Sequence, residues 1–280
     1  MSKILLPLYI DEHYLASVPA NAILFTRFKN DYQDNCFLFH EIQEYTISQE
    51  ESEKLSKKYH LCYLYDMFHF ENREFTIEGY EEINSDIKNI ISSGFKYILV
   101  SNPYIIELLC NEYSGGINVI VSSQLEINSS HSKIFFDVLN STSNISHIIV
   151  SQNHLHKKEF DEMKRTFDVE LIVELDRLIS DNQIVHEHFY NMLYGYYNNS
   201  VKSNLIEYIS DNQKYFRRQD LVEYYDESIS YKLGELNLNQ KILQENLSYL
   251  INGKLKNINV IDYDLWLGKD CYNETFNTGF

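Results

Sequence analysis

The stretch Gly94-Phe95-Lys96-Tyr97-Ile98-Leu99-Val100-Ser101-Asn102-Pro103 decides the fold. Residues 97–100 form an unbroken apolar run of strand length, and a strand apolar on both faces must be covered on both faces. Asn102-Pro103 then opens a helix, because proline suits the first helical position, where its missing N–H costs nothing. Gly94 stands just past a long helix predicted over 77–92, where a helix C-terminus favours glycine. The segment therefore reads as helix end, buried strand and helix start, which is the repeating step of a parallel α/β sheet.

The same step recurs on both sides. Strands are predicted at 4–10, 22–27 and 61–67 before it, and at 118–122, 147–150 and 169–175 after it. Ser48 and Glu51 have the spacing of a capping box, so a helix is expected from 48 to about 59. Further helices are expected over 130–140 and between the last two strands, through 167. Seven strand–helix units in series favour an α/β fold of the closed (β/α) TIM-barrel type over an open doubly wound sheet. No G-x-G-x-x-G motif follows the first strand, which counts against dinucleotide binding. Beyond 176 the pattern changes to helices with tyrosine-rich connections, over about 178–251. It is expected to be a late helical insertion over the barrel mouth, with an eighth strand returning at 257–263. The whole of 1–280 is treated as one domain.

Composition narrows the function. The chain carries 24 basic and 41 acidic side chains, a formal charge of −17, and no dense basic run. Such a field repels polyanions, so nucleic acid is not an expected partner. The four cysteines, Cys36, Cys62, Cys110 and Cys271, form no C-x-x-C pair and so give no spacing signature for zinc or iron–sulfur. Cys62 and Cys110 lie in apolar runs and are expected to be buried. No window approaches the length of a membrane span, and the N-terminus lacks a secretory pattern. A cytoplasmic location with no membrane partner is the expectation.

Several segments together resemble one family in order and spacing. These are the 94–103 stretch, the run Ile117-Asn118-Val119-Ile120-Val121-Ser122-Ser123-Gln124-Leu125-Glu126-Ile127-Asn128, the strand at 145–153, the helix Lys158-Glu159-Phe160-Asp161-Glu162-Met163, and Val169-Glu170-Leu171-Ile172-Val173. They resemble peptidase family U32, the collagenase-like peptidases, over residues 80–176. The resemblance implies the barrel, and a substrate that is a peptide or small organic molecule. The departures are specific. Gln152-Asn153 stands where the family has an Arg-Glu pair, and Glu174-Leu175-Asp176-Arg177-Leu178 where it has His-Gly-Ala-x-Cys. The later cysteines that look like iron–sulfur ligands in family members have no counterparts, so no such cluster is expected.

Active sites of barrels sit at the carboxyl ends of the strands. That rule selects Asp11, Glu12, His13, Arg27, Asp66, His69, Ser101, Asn102, Ser122, Ser123, Gln124, Glu126, Gln152, Asn153, Glu174, Asp176 and Arg177. Asp66, Glu174 and Asp176 are the candidate catalytic carboxylates, since neighbouring carboxyls push one another's pKa apart for acid–base work. A divalent metal held by them with His13 or His69 is the alternative chemistry. Arg27, Asn102, Ser122, Ser123, Gln124, Gln152 and Asn153 are candidate substrate-binding groups, offering donors and acceptors of fixed geometry. His186-x-His188 would put two imidazoles on one side only in a strand. The tyrosines at 190–197 are read as packing, or as an aromatic lid.

Three functions follow from this reading. The first is a divergent U32-like enzyme that hydrolyses or otherwise modifies a peptide or small organic substrate. Next comes a non-catalytic accessory subunit of a biosynthetic complex, with a protein partner or a second copy of the chain. The third, redox modification of RNA or quinone as in some relatives of the family, is disfavoured by the missing cysteines and the charge.

Overall fold

A computed structural model describes residues 3–28, 46–65, 73–125, 127, 129–137, 144–150, 157–175, 178–180, 215–217, 229–233, 240–254 and 257–258. Eight parallel strands close on themselves. They are β1 (Ile4–Pro7), β2 (Ala22–Phe28), β4 (His60–Tyr65), β5 (Tyr97–Val100), β6 (Asn118–Val121), β7 (Ile145–Ile149), β8 (Glu170–Glu174) and β11 (Ser230–Lys232). Each pairs with the next, and β11 returns to β1, which pairs with β2. A two-residue strand, β3 (Thr46–Ile47), pairs in parallel beside the end of β2.

Alternation along the strands separates two cores. Leu5, Ile23, Phe25, Cys62, Leu64, Tyr97, Leu99, Ile120, Ile149 and Ile172 fill the barrel interior. Their neighbours in sequence, such as Leu24, Tyr63, Ile98, Val119 and Val121, face the helices. This double burial is why the strands read as unbroken apolar runs.

The helices follow in alternation: α1 (Glu12–Ser17), α2 (Gln49–Leu55), α3 (Ile77–Ser92), α4 (Pro103–Glu112), α5 (Lys133–Asp137), α6 (Lys157–Thr166) and α7 (Gln240–Ile251). Local chemistry sets their ends. Ser48 Oγ accepts from the Glu51 N–H at 3.2 Å and Glu51 accepts from the Ser48 N–H at 2.7 Å, the reciprocal capping box read from sequence. α3 buries Ile83, Ile87 and Ile90, one stripe at helical spacing. Past its end Gly94 adopts φ +89°, and a Cβ there would lie 2.3 Å from Ser56 Oγ. Tyr14 of α1 is fully buried and donates its hydroxyl to the Pro7 carbonyl at 2.6 Å, tying the first helix to the first strand.

Cys62 and Cys110 are buried free thiols, as expected, and burial pushes the Cys110 thiol up to about 11, away from reactivity. No helix among the described residues is long and apolar enough to cross a membrane.

The structure corrects the late part of the chain. The eighth barrel strand is β11 at 230–232, inside the stretch read as helical, and not at 257–263. Residues 257–258 are not strand, and 259–263 lie outside the described residues. Residues 178–180 and 215–217 likewise form an antiparallel pair, β9 (Leu178–Ser180) with β10 (Tyr215–Arg217), rather than helix. Three-residue strands carry too little periodicity to be seen against tyrosine-rich surroundings; neighbouring strands, not local propensity, define them. α7 at 240–251 is the helical part of that stretch that is described.

Candidate functional site at the barrel mouth

The inward rows of the strands end in polar residues at both ends of the barrel. At the amino-terminal end Lys3, Tyr97, His147, Glu170 and Ser230 interlock. Lys3 Nζ donates to Tyr97 Oη at 3.1 Å, and the Lys3 N–H donates to Ser230 Oγ at 2.8 Å. Ser230 Oγ donates to Glu170, and His147 Nε2 lies 3.2 Å from Glu170 Oε2. Burial pushes the Glu170 carboxyl up, but His147 and Ser230, with Lys3 behind them, more than offset it and hold it at about 2. This end is a closed structural plug, as the amino-terminal face of a barrel is expected to be.

The carboxyl end is different. Continuing the inward rows past Phe25, Leu99, Ile120, Ile172 and Ser230 brings Arg27, Ser101, Ser122, Glu174 and Lys232 to the mouth. All but Lys232 are at least nine-tenths buried. Glu174 and Lys232 are register partners on β8 and β11, and the Lys232 ammonium is ion-paired with Glu174 Oε1. The same ammonium lies 5.9 Å from the centroid of the Phe25 ring, so it reaches over the apolar layer towards β2. Ser123, in the 3-10 turn Ser123–Leu125, donates to Glu174 Oε2 at 3.4 Å. Both carboxylate oxygens of Glu174 are thus engaged, one by a cation and one by a hydroxyl.

Asn102 holds another corner. Its Oδ1 accepts from the Tyr104 and Ile105 N–H groups at 2.9 and 3.3 Å, capping α4. Its Nδ2 donates to Glu74 Oε1 at 3.5 Å. Glu74 comes from the 3-10 turn Arg73–Phe75 before α3 and is itself buried.

Of the residues selected from sequence, Arg27, Ser101, Asn102, Ser122, Ser123 and Glu174 come together at this end. Gln124 lies in the same turn as Ser123. Asp66, Asp176, Gln152 and Asn153, with His69, Glu126 and Arg177, lie outside the described residues, as do His186, His188 and the tyrosines at 190–197. Asp11 caps α1 by accepting from the Tyr14 N–H at 2.7 Å, and Glu12 and His13 are exposed on that helix. Among the described residues no three His, Cys, Asp or Glu side chains converge on a point where they would hold a metal.

Sequence reasoning missed Lys232 and Glu74. Lys232 was hidden because its strand was unrecognised. Glu74 is one acid among several before the α3 cap, and no spacing marks it out; only its burial does.

Fold and mouth together define a closed eight-stranded (β/α) barrel with a charged, polar carboxyl end. No family model matches the chain, and no curated protein matches its sequence. Among solved structures the chain is similar to the U32 peptidase Mk0906, with a TM-score of 0.59 and 15% identity over 85% of this chain and 95% of that one. It is also matched to YagE, a prophage protein of the dihydrodipicolinic acid synthase family from E. coli K12 in complex with pyruvate, at a TM-score of 0.42 and 12% identity, over 99% of this chain and 81% of that one. The first likeness establishes a distantly U32-like barrel fold.

Proposed function

We propose that this protein is a barrel enzyme that acts on a peptide or small organic substrate at the carboxyl end of its strands, by hydrolysis or another peptide modification. The observation that carries the reading is the buried Glu174–Lys232 pair at the end of adjacent inward rows. Desolvating two charges costs more than packing two apolar side chains of the same size there, so such a pair is a poor device for stability alone.

In this proposal Glu174 moves the proton. The Lys232 ammonium favours its carboxylate, which takes a proton from a substrate N–H, O–H or attacking water and later returns it to the leaving group. Ser123 holds the second oxygen and fixes the direction of the first. Arg27, across β1 from Lys232, carries a guanidinium fork suited to a substrate carboxylate or carbonyl, and Ser122, past the end of β6, adds a hydroxyl at the same end of the barrel. Asn102 acts as a positioning residue, through the α4 cap and Glu74.

A second reading has one observation in its favour. Both oxygens of Glu174 are occupied at rest, as in a site built to bind rather than to react, and this suits an accessory subunit that presents a peptide to a partner.

The test is turnover of a peptide panel followed by mass spectrometry, alongside circular dichroism. Removing one partner of a buried pair leaves an uncompensated charge, costing about 3–5 kcal/mol, so Glu174→Gln is accompanied by the paired replacement Glu174→Leu with Lys232→Met, which is expected to fold. The enzyme reading expects both to lose about 100-fold or more in turnover with the fold intact. Undiminished turnover in the folded double variant overturns it. Peptide binding without turnover in the unaltered protein moves the weight to the accessory reading.

A further inference from the structure

Glu74 is the anomaly of the mouth. It is 6% exposed; among the described residues its side chain has one hydrogen bond, the 3.5 Å contact from Asn102 Nδ2 to Oε1, and Oε2 has no partner. A buried carboxylate oxygen left unpaired is costly, and native structures retain such groups where something else pairs with them. One residue before Asn102, Ser101 is fully buried and its Oγ also lacks a hydrogen-bond partner among the described residues. Ser101 precedes Asn102 in the chain, so both unpartnered groups, one carboxylate oxygen and one hydroxyl, belong to the segments where the end of β5 meets the turn before α3.

The surroundings select the kind of partner. Phe75, the next residue in the same turn, is 74% exposed, and its ring lies 6.1 Å from that of Tyr104, in the first turn of α4. An exposed phenylalanine ring next to a half-buried tyrosine, adjoining a carboxylate in the chain, suits an organic cation. One carboxylate and one hydroxyl fall well short of the six or more oxygens a calcium ion gathers, or of the octahedron magnesium demands. They match a primary ammonium, which has three donors and a single point charge. The net charge of −17 draws such a cation inward.

We propose that Glu74, with Ser101, is the recognition site for a primary ammonium group of the substrate, such as the free amino terminus of a peptide. The assignment rests on the mouth being the substrate site. It adds the substrate's charge and the residue that selects it. With the ammonium held at the β5 end, the rest of a short peptide lies towards Ser122 and the Glu174–Lys232 pair on the strands beyond.

The experiment is calorimetric titration at pH 7 with tripeptide amides of varied side chains, each with a free amino terminus and in N-acetylated form. At this pH most of the free amines are protonated. The full chain is expected to bind free-amine forms roughly 10- to 100-fold more tightly than their acetylated partners, the range of one hydrogen-bonded charge contact. Glu74→Gln, which keeps the side-chain shape and the acceptor for Asn102, is expected to abolish that preference. Ser101→Ala is expected to weaken free-amine binding by about 3- to 10-fold, the range of a single neutral hydrogen bond. Glu74→Gln is also expected to raise the melting temperature of the ligand-free protein, because the uncompensated charge is gone; a merely structural Glu74 would move it down. Equal binding of both forms by the unaltered chain, or an amine preference that survives Glu74→Gln, overturns this assignment and leaves the mouth as a substrate site. If no tripeptide of either form binds, both this assignment and the peptide reading of the mouth fail.

Discussion

At the scale of single residues, two carboxylates at opposite ends of one barrel do different work. Glu174 sits where chemistry is possible, with a cation on one oxygen and a hydroxyl on the other. Glu170, four positions earlier and two steps down the same inward row, closes the plug. Its carboxyl is lowered from the ordinary 4.5 to about 2 in the folded chain. A carboxyl lowered by folding binds fewer protons folded than unfolded, so its contribution is fully present above about pH 4.5 and is lost as pH falls through the window from 4.5 to 2. The melting temperature is therefore expected to fall over that window. In Glu170→Gln the fall should be shallower, so that the gap between the two proteins narrows towards pH 2; thermal melts at half-unit pH intervals decide it. None of this was visible in sequence, where Glu170 is a polar residue before an apolar run. Its partners Lys3, His147 and Ser230 stand 167, 23 and 60 positions away, and only the closure of the barrel brings them to it.

Among the elements, the legible ones were those whose ends carry their own chemistry. The 77–92 helix, the Ser48–Glu51 box and the Asn102-Pro103 start all appear where the residues put them, because caps act within four residues. Gly94 shows how local and tertiary demands combine. Its φ of +89° is one that residues with a Cβ adopt only at a cost, and the adjacent Ser56 Oγ occupies the space a side chain would need. Gly94→Ala is expected to cost about 1–3 kcal/mol, measured by denaturant unfolding. Adding Ser56→Gly should recover the part due to the clash and leave the part due to the backbone. A double variant no more stable than Gly94→Ala alone would show that backbone strain is the whole effect. The elements not legible were the short ones. A strand of three residues such as Ser230–Lys232 has no period of its own.

For the whole molecule, that short strand is the keystone. β11 pairs with β8 on one side and β1 on the other, and the Tyr231 N–H donates to the Lys3 carbonyl at 3.1 Å. Without it the barrel would be an open seven-stranded sheet with two raw edges, and Lys232 would leave the mouth. Tyr231→Pro, which removes that donor from an interior strand, is expected to cost about 3 kcal/mol or more and to broaden the unfolding transition. A melt as sharp and as high as that of the unaltered chain would mean that β11 does not close the barrel in solution.

The sequence by itself determined the repeating unit. Short apolar runs alternating with helical stretches, several of which carry their own caps, admit few arrangements other than parallel strands covered by helices, and seven of them in series point to a closed ring. It also put Arg27, Ser101, Asn102, Ser122, Ser123 and Glu174 at one end, since the residues after each strand must lie there. What only the tertiary structure decided was which of those residues meet. Lys232 faces Glu174 because β11 lies beside β8, across 58 positions of chain. Glu74 is buried because the turn before α3 folds onto the cap of α4. Pairings of that kind depend on closure and on connections without periodicity, and neither leaves a local trace in the order of amino acids.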